Sequence, residues 1–185
     1  MSLLRGVGLA LVRGGRLLFE GLDLQIEAGG ALHVTGPNGS GKSSLIRLAA
    51  GLLRASAGRI ERGGKLALAD EHLALDRELP LGRALGFWNA GQLPAAAMEA
   101  MGIDHLADMP VRLLSTGQAR KARLARVIAT QAPLWLLDEP LNGLDADGAD
   151  RLAQAIADHR AGGGAVLAAS HQPLGSGWHR LELGE

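Results

Sequence analysis

Apolar and polar residues alternate in two stretches before residue 30: Val7, Leu9 and Leu11 are separated by small residues, and Leu22, Leu24 and Ile26 by Asp23, Gln25 and Glu27. A period of two sends successive side chains to opposite faces, so each stretch predicts a strand with one wet face. Gly14-Gly15, between Val12 and a short strand at residues 17–19, supplies a turn, and the first thirty residues read as an antiparallel β-layer. The pattern then changes. Residues 31–35 make a short strand with Leu32 and Val34 on one side, after which Leu45, Leu48, Ala49 and Leu52 recur at helical spacing. That helix should stop at Gly51 or in the loop through Ala57-Gly58, and residues 65–69 can form another strand.

From residue 70 to about 110 the chain reads as broken helix, rich in Ala, Leu and Met and punctuated by Pro80, Gly86, Gly91 and Pro94. Its segment 93–101 carries little charge and reads either as a core helix or as a docking face. A helix after Ser115 runs through Ile128, and its Arg120, Lys121, Arg123 and Arg126 read as a solvated basic face. Pro133 opens the apolar run Leu134-Trp135-Leu136-Leu137, of the kind that forms a buried parallel strand. A helix over 149–160 leads to a second buried strand at 165–169, and residues 178–183 alternate as a last short strand. Strands and helices in alternation imply an α/β fold with a mainly parallel sheet. Ligands bind such sheets beyond the carboxyl ends of the strands, and Lys42, Asp138 and His171 all lie just past predicted strand ends.

Length and composition narrow the picture. A chain of 185 residues has room for one substantial core, so residues 1–185 are expected to form a single domain with a helical subdomain over about 71–130. Lys plus Arg equals Asp plus Glu at 19 each, which gives no basic field to attract nucleic acid. No apolar run approaches the ~20 residues that span a bilayer. The first residues lack the apolar core of a secretory signal and there is no cysteine, so the cytoplasm is the expected compartment and thiol chemistry is excluded. The six histidines show no metal-ligand spacing, and five of them read as ordinary side chains.

The chemistry centres on Gly36-Pro37-Asn38-Gly39-Ser40-Gly41-Lys42-Ser43, which fits the phosphate-loop pattern G-x-x-x-x-G-K-[ST] and is followed by Ser44. Its glycines let backbone N–H groups turn inward around an anion, at the N-terminus of the following helix. Lys42 would reach the β- and γ-phosphates and Ser43 would hold Mg²⁺. Asp138, after four apolar residues, is placed as a second magnesium ligand, while Glu139 suits a general base for the attacking water. Beside a phosphate loop, an acidic turn without chemistry becomes the minority reading.

Leu114-Ser115-Thr116-Gly117-Gln118 with an Arg-bearing helix, Leu136-Leu137-Asp138-Glu139-Pro140, Leu144-Asp145 and Ser170-His171 follow in that order. Together they resemble the ATP-binding subunits of ABC transporters, from Val7 to about His171. The resemblance implies the P-loop ABC ATPase fold, with a mainly parallel sheet, an N-terminal antiparallel β-layer and a short helical subdomain. It implies ATP and Mg²⁺ as ligands, and a homodimer that sandwiches two ATP molecules. In that arrangement Ser115, Gly117 and Gln118 meet the partner's γ-phosphate, Asp145 closes the dimer loop and His171 touches the γ-phosphate. Permease subunits then place the chain at the cytoplasmic face of the cell membrane. The glutamine usual between the subdomains is absent; its place falls at Glu71, or at His72 with a one-residue slip, which makes Glu71 a candidate metal contact. Thr116 stands where glycine is commoner. With no tyrosine in the chain, the usual adenine-stacking ring has no occupant, and Phe19 reads as core. The turn Arg13-Gly14-Gly15-Arg16, and Gly162-Gly163-Gly164-Ala165 leading to Ser170-His171-Gln172-Pro173-Leu174, are similar to the subunits that energise haem export in cytochrome c maturation. A soluble single-cassette assembly ATPase, or an ABC subunit for another substrate, stays open at this point.

Overall fold

A computed structural model describes residues 1–91 and 94–184. β1 (Ser2–Arg13) and β2 (Arg16–Glu27) pair antiparallel through the Gly14-Gly15 turn, where φ is +57° and +76°. Left-handed geometry at both central residues is what a two-residue hairpin matched to strand twist requires. The two short strands expected after the turn are one strand, bulged between Phe19 and Leu22, with Gly21 at φ +62°. β3 (Ala31–Thr35) enters the phosphate loop and α1 (Lys42–Ala49) leaves it. Leu52 lies beyond the helix end and is exposed.

Ala57-Gly58, expected in a loop, instead open β4 (Ala57–Arg62), which pairs antiparallel with the free edge of β1. Only Ile60 in it is part-buried, so the segment has no apolar alternation to betray it; the neighbouring strand, not its own pattern, makes it a strand.

β5 (Leu66–Ala69), β6 (Leu134–Asp138), β7 (Ala165–Ala169) and β8 (His179–Glu182) join β3 in a five-stranded parallel sheet of order β5-β6-β7-β3-β8. Both faces are covered. Leu134 and Leu136 pack with Leu45, Leu48 and Val34 toward α1 and the antiparallel layer, whereas Trp135 and Leu137 pack toward the helices. This is why the strand pattern is continuously apolar.

The helices are α2 (Leu81–Gly86), α3 (Ala95–Ala100), α4 (Thr116–Ala129) and α5 (Ala146–Ala161). Of the segment expected to be core or docking face, Leu93 lies outside the described residues, while Ala97, Met98 and Met101 are buried in the core. The α4 basic face is not wholly solvated. Arg123 and Arg126 are 8% and 5% exposed, donate to the carbonyls of Asp70 and Leu68 after and within β5, and have their basicity lowered chiefly by burial. Among the described residues, no helix is long and apolar enough to cross a membrane.

Candidate functional site

The parallel sheet delivers three segments to one end. β3 runs into Gly36, β6 ends at Asp138, and β7 ends just before Ser170 and His171. Gly41 caps α1 at φ +103°, and a Cβ there would press on Leu18 and Phe19 at 3.1 and 3.2 Å, so the loop needs glycine on both counts. Phe19 is buried core. Lys42, only 9% exposed, donates from Nζ to the carbonyls of Gly36 (2.8 Å) and Pro37 (3.0 Å), which holds its charge across the mouth of the loop.

Ser43 Oγ donates to Asp138 Oδ1 at 2.9 Å, joining α1 to the end of β6. Burial pushes the Asp138 carboxyl above the usual carboxylate range; the Ser43 hydrogen bond opposes this, and the Glu139 charge adds to it. One hydroxyl and one carboxylate are hard oxygen donors suited to magnesium, which keeps several waters and is completed by phosphate oxygens. Among the described residues no group of three or more His, Asp or Glu could cage a metal alone.

Glu139 adopts φ +47°, an uncommon conformation for a side chain this long, and its N–H donates to the Ala169 carbonyl at 2.8 Å. The kink aims its carboxylate at His171, whose Nδ1 lies 2.9 Å from Glu139 Oε2. A carboxylate oxygen accepts, so Nδ1 donates, and Nε2 of His171 is left for another partner.

Three cavities hold most of the expected residues, while His171 lines a fourth, about 290 Å³, with His33 and Trp178. One of about 480 Å³ is lined by Ser43, Asp138, Glu139, Glu71, Arg120 and Arg123. The second, about 350 Å³, holds Asn38, Lys42, Ser44, Arg13 and Leu18, and Ser43 and Glu139 line both. Ser115, Gly117, Gln118 and Asp145 line a third, about 220 Å³, together with Lys121 and Gly143. Ser115 and Gln118 form a capping box at the start of α4: the Gln118 N–H donates to Ser115 Oγ at 3.3 Å and the Ser115 N–H to Gln118 Oε1 at 2.9 Å. Asp145 caps α5 by one bond, its Oδ1 accepting from the Gly148 N–H at 2.8 Å; that bond and then Lys121 hold its carboxyl below the usual range.

Glu71 reaches the rim of the first cavity, but its carboxylate pairs with Arg47 Nη2 at 3.1 Å and is largely exposed. His72 instead faces Asp70 at 3.3 Å and does not line that cavity. Sequence reasoning missed Arg13, Leu18, Arg47, Arg123 and Lys121. The Arg13-Gly14-Gly15-Arg16 turn was visible, yet nothing in it says that the hairpin tip folds over the phosphate loop, with Arg13 Nη1 3.5 Å from Ser44 Oγ.

The family model described as "ABC transporter" matches residues 19–142. The cytochrome c biogenesis ATP-binding export protein CcmA of Sphingopyxis alaskensis is 59% identical over 90% of this chain and 89% of its own length. The protein of the same name from Novosphingobium aromaticivorans is 56% identical over 90% and 87%. Among solved structures, an ATP-binding subunit of an ABC transporter superposes with a TM-score of 0.82 at 21% identity, covering 91% of this chain and 79% of that one. The cbiO1 protein of Clostridium perfringens, part of the cbiONQ ABC transporter complex, gives 0.77 at 23%, covering 92% and 79%. These two show the fold. The sequence relationships answer what the converging loop and carboxylates ask: the chain belongs to the ABC transporter family, as an ATP-binding subunit and ATPase most like CcmA.

Proposed function

We propose that this chain energises an export step of cytochrome c biogenesis, with haem-related cargo, by hydrolysing ATP in a head-to-tail homodimer docked on membrane subunits at the cytoplasmic face of the membrane. The name shared by relatives above 50% identity supports the process. One observation supports the dimer: Ser115, Gly117 and Gln118 line a cavity separate from the one that Lys42 lines, although Thr116 between them lines the cavity of Ser43 and Asp138. A second copy turned head to tail would bring both sets onto the same phosphates, with the α4 N-terminus offering N–H groups and its positive dipole end to the partner's γ-phosphate.

In this reading the phosphate loop, residues 36–44, binds the triphosphate and Lys42 exchanges its two loop carbonyls for β- and γ-oxygens. Ser43 and Asp138 would hold magnesium, which would supply charge neutralisation on the phosphates. Glu139 accepts the proton of the attacking water, and His171, fixed through Nδ1, offers Nε2 toward the γ-phosphate. Asp145 sits where the two copies meet, and Glu71 lies at the rim of the metal cavity. Residues 1–185 act as a single nucleotide-binding domain, with residues 71–130 as its helical part. Phe87, 79% exposed beside Trp88, is the surface assigned to the membrane subunits. Arg126 lies 4.8 Å over the Trp88 ring and also bonds the β5 carbonyl of Leu68, linking that surface to the strand before Glu71.

The test is a strain whose only copy carries Glu139→Gln. It should accumulate no haem-stained c-type cytochrome, and the purified variant should form an ATP-dependent dimer. Normal cytochrome c with an inactive ATPase would assign the chain to another process.

A further inference from the structure

A histidine inside a parallel strand must satisfy a polar ring where its neighbours are apolar. His33 stands in β3 between Leu32 and Val34, both buried, and its Nε2 lies 3.0 Å from the carbonyl oxygen of Ser170. A carbonyl oxygen only accepts, so Nε2 carries the hydrogen and donates it. The Trp178 ring meets the imidazole edge-on at 6.1 Å, and both line a cavity of about 290 Å³ that His171 lines as well.

Ser170 is fully buried, and its polar groups are engaged one by one. Its N–H donates to the Val34 carbonyl at 3.2 Å, its Oγ accepts from the Gln172 N–H at 3.0 Å, and its carbonyl takes the His33 bond. That carbonyl belongs to the peptide unit leading into His171. Rotating the unit would swing the imidazole away from Glu139 Oε2, 2.9 Å distant, and the His33 bond opposes the rotation. The strand that supplies the bond is the one that runs on into Gly36, so the same element sets both the phosphate loop and the carbonyl that leads into His171.

We infer that His33 is a positioning residue for ATP hydrolysis: its Nε2–H, bonded to the Ser170 carbonyl, fixes the peptide that aims His171 at Glu139. This rests on the reading of Glu139 and His171 given above. The role needs a donor at the reach of Nε2, which glutamine has and which leucine and asparagine lack.

The test compares wild type with His33→Leu, His33→Gln and His33→Asn in the purified full chain, by steady-state ATP hydrolysis with thermal melts on each variant. A misplaced catalytic group costs about tenfold to a hundredfold in kcat, so His33→Leu should lose that much while KM for ATP stays within about twofold. His33→Gln should recover most of the rate and His33→Asn should not. Equal kcat in wild type and His33→Leu overturns the inference, as does a folded His33→Gln that is as slow as His33→Leu. If His33→Leu fails to fold, the Gln and Asn pair decides: a gap between them supports the role, and equal rates overturn it. Glu139→Gln in the same assay separates the two levels, because a variant that still turns over at the wild-type rate defeats the underlying site reading and this inference with it.

Discussion

Replacing Asp138 with asparagine should make the ligand-free protein more stable and at the same time nearly blind to magnesium–ATP. The carboxylate is held where burial disfavours its charge and Glu139 repels it, with one hydroxyl, Ser43, as hydrogen-bond donor. Asparagine keeps an oxygen for that hydroxyl and brings no charge. Relieving a functional site of this kind is worth about 0.5–2 kcal/mol. At about 2–4 °C per kcal/mol for a chain of this length, Tm should rise by about 1–8 °C. Ligand at a hundred times Kd stabilises the native state by about 2.7 kcal/mol, so magnesium–ATP should raise the wild-type Tm by about 5–11 °C. Asp138→Asn should lose most of that increment, and the order of the two melts should narrow or reverse on adding ligand.

The sign with pH follows from the same cause. A carboxyl whose folded pKa lies above its unfolded value binds its proton more tightly in the native state, so its contribution falls as pH rises from the ordinary aspartate value through the raised one. The advantage of Asp138→Asn should therefore open across that window and hold steady above it. Differential scanning fluorimetry with and without magnesium–ATP, at several pH values, checks both parts. A ligand-free variant that melts below wild type, or one that keeps the full ligand-induced shift, refutes the reasoning.

Glu139→Gln should lower kcat by about 10²–10⁴ without weakening ATP binding or lowering Tm, because the amide oxygen still accepts from His171 Nδ1 and the charge that repels Asp138 is gone; phosphate release and calorimetry measure this. Gly164→Ala should destabilise by about 1–3 kcal/mol, since the added Cβ would lie 2.2 Å from the His159 ring stacked 3.9 Å from Trp135. In a His159→Ala background the same change should instead stabilise by about 0.4–1 kcal/mol, and urea titration of the four proteins would expose a failure of that sign change. Arg13 and Leu18, with no aromatic ring, line the phosphate-loop cavity, so GTP should compete with ATP within about tenfold, or 1.4 kcal/mol; a larger preference for ATP would show a base contact elsewhere.

Much of the candidate site is legible in the sequence because its chemistry is local. A phosphate loop needs its glycines, lysine and serine consecutively, and a carboxylate at the end of an apolar strand is visible as Leu134-Trp135-Leu136-Leu137 followed by Asp138. The buried strands β6 and β7 announced themselves because both faces of the sheet are covered. The helix after Ser115 was legible too, and the structure starts it with the capping box of Ser115 and Gln118, made within four residues.

What depends on partners distant in sequence was not legible. Arg123 and Arg126 look like a solvated face in one dimension; only the packing of α4 against β5 shows that the carbonyls of Asp70 and Leu68 receive them. Glu71 was placed near the metal by its position in a motif, whereas the fold sets Arg47 beside it. β4 exists because β1 has an edge to pair with, and His33 matters because β7 sets Ser170 next to it. The sequence alone determined which groups the protein has for phosphate chemistry and the elements that carry them, since those signals are short-range. Which carbonyl, carboxylate or ring each group meets was decided by the tertiary structure, because burial and hydrogen-bond partners arise only when segments far apart in the chain are packed together.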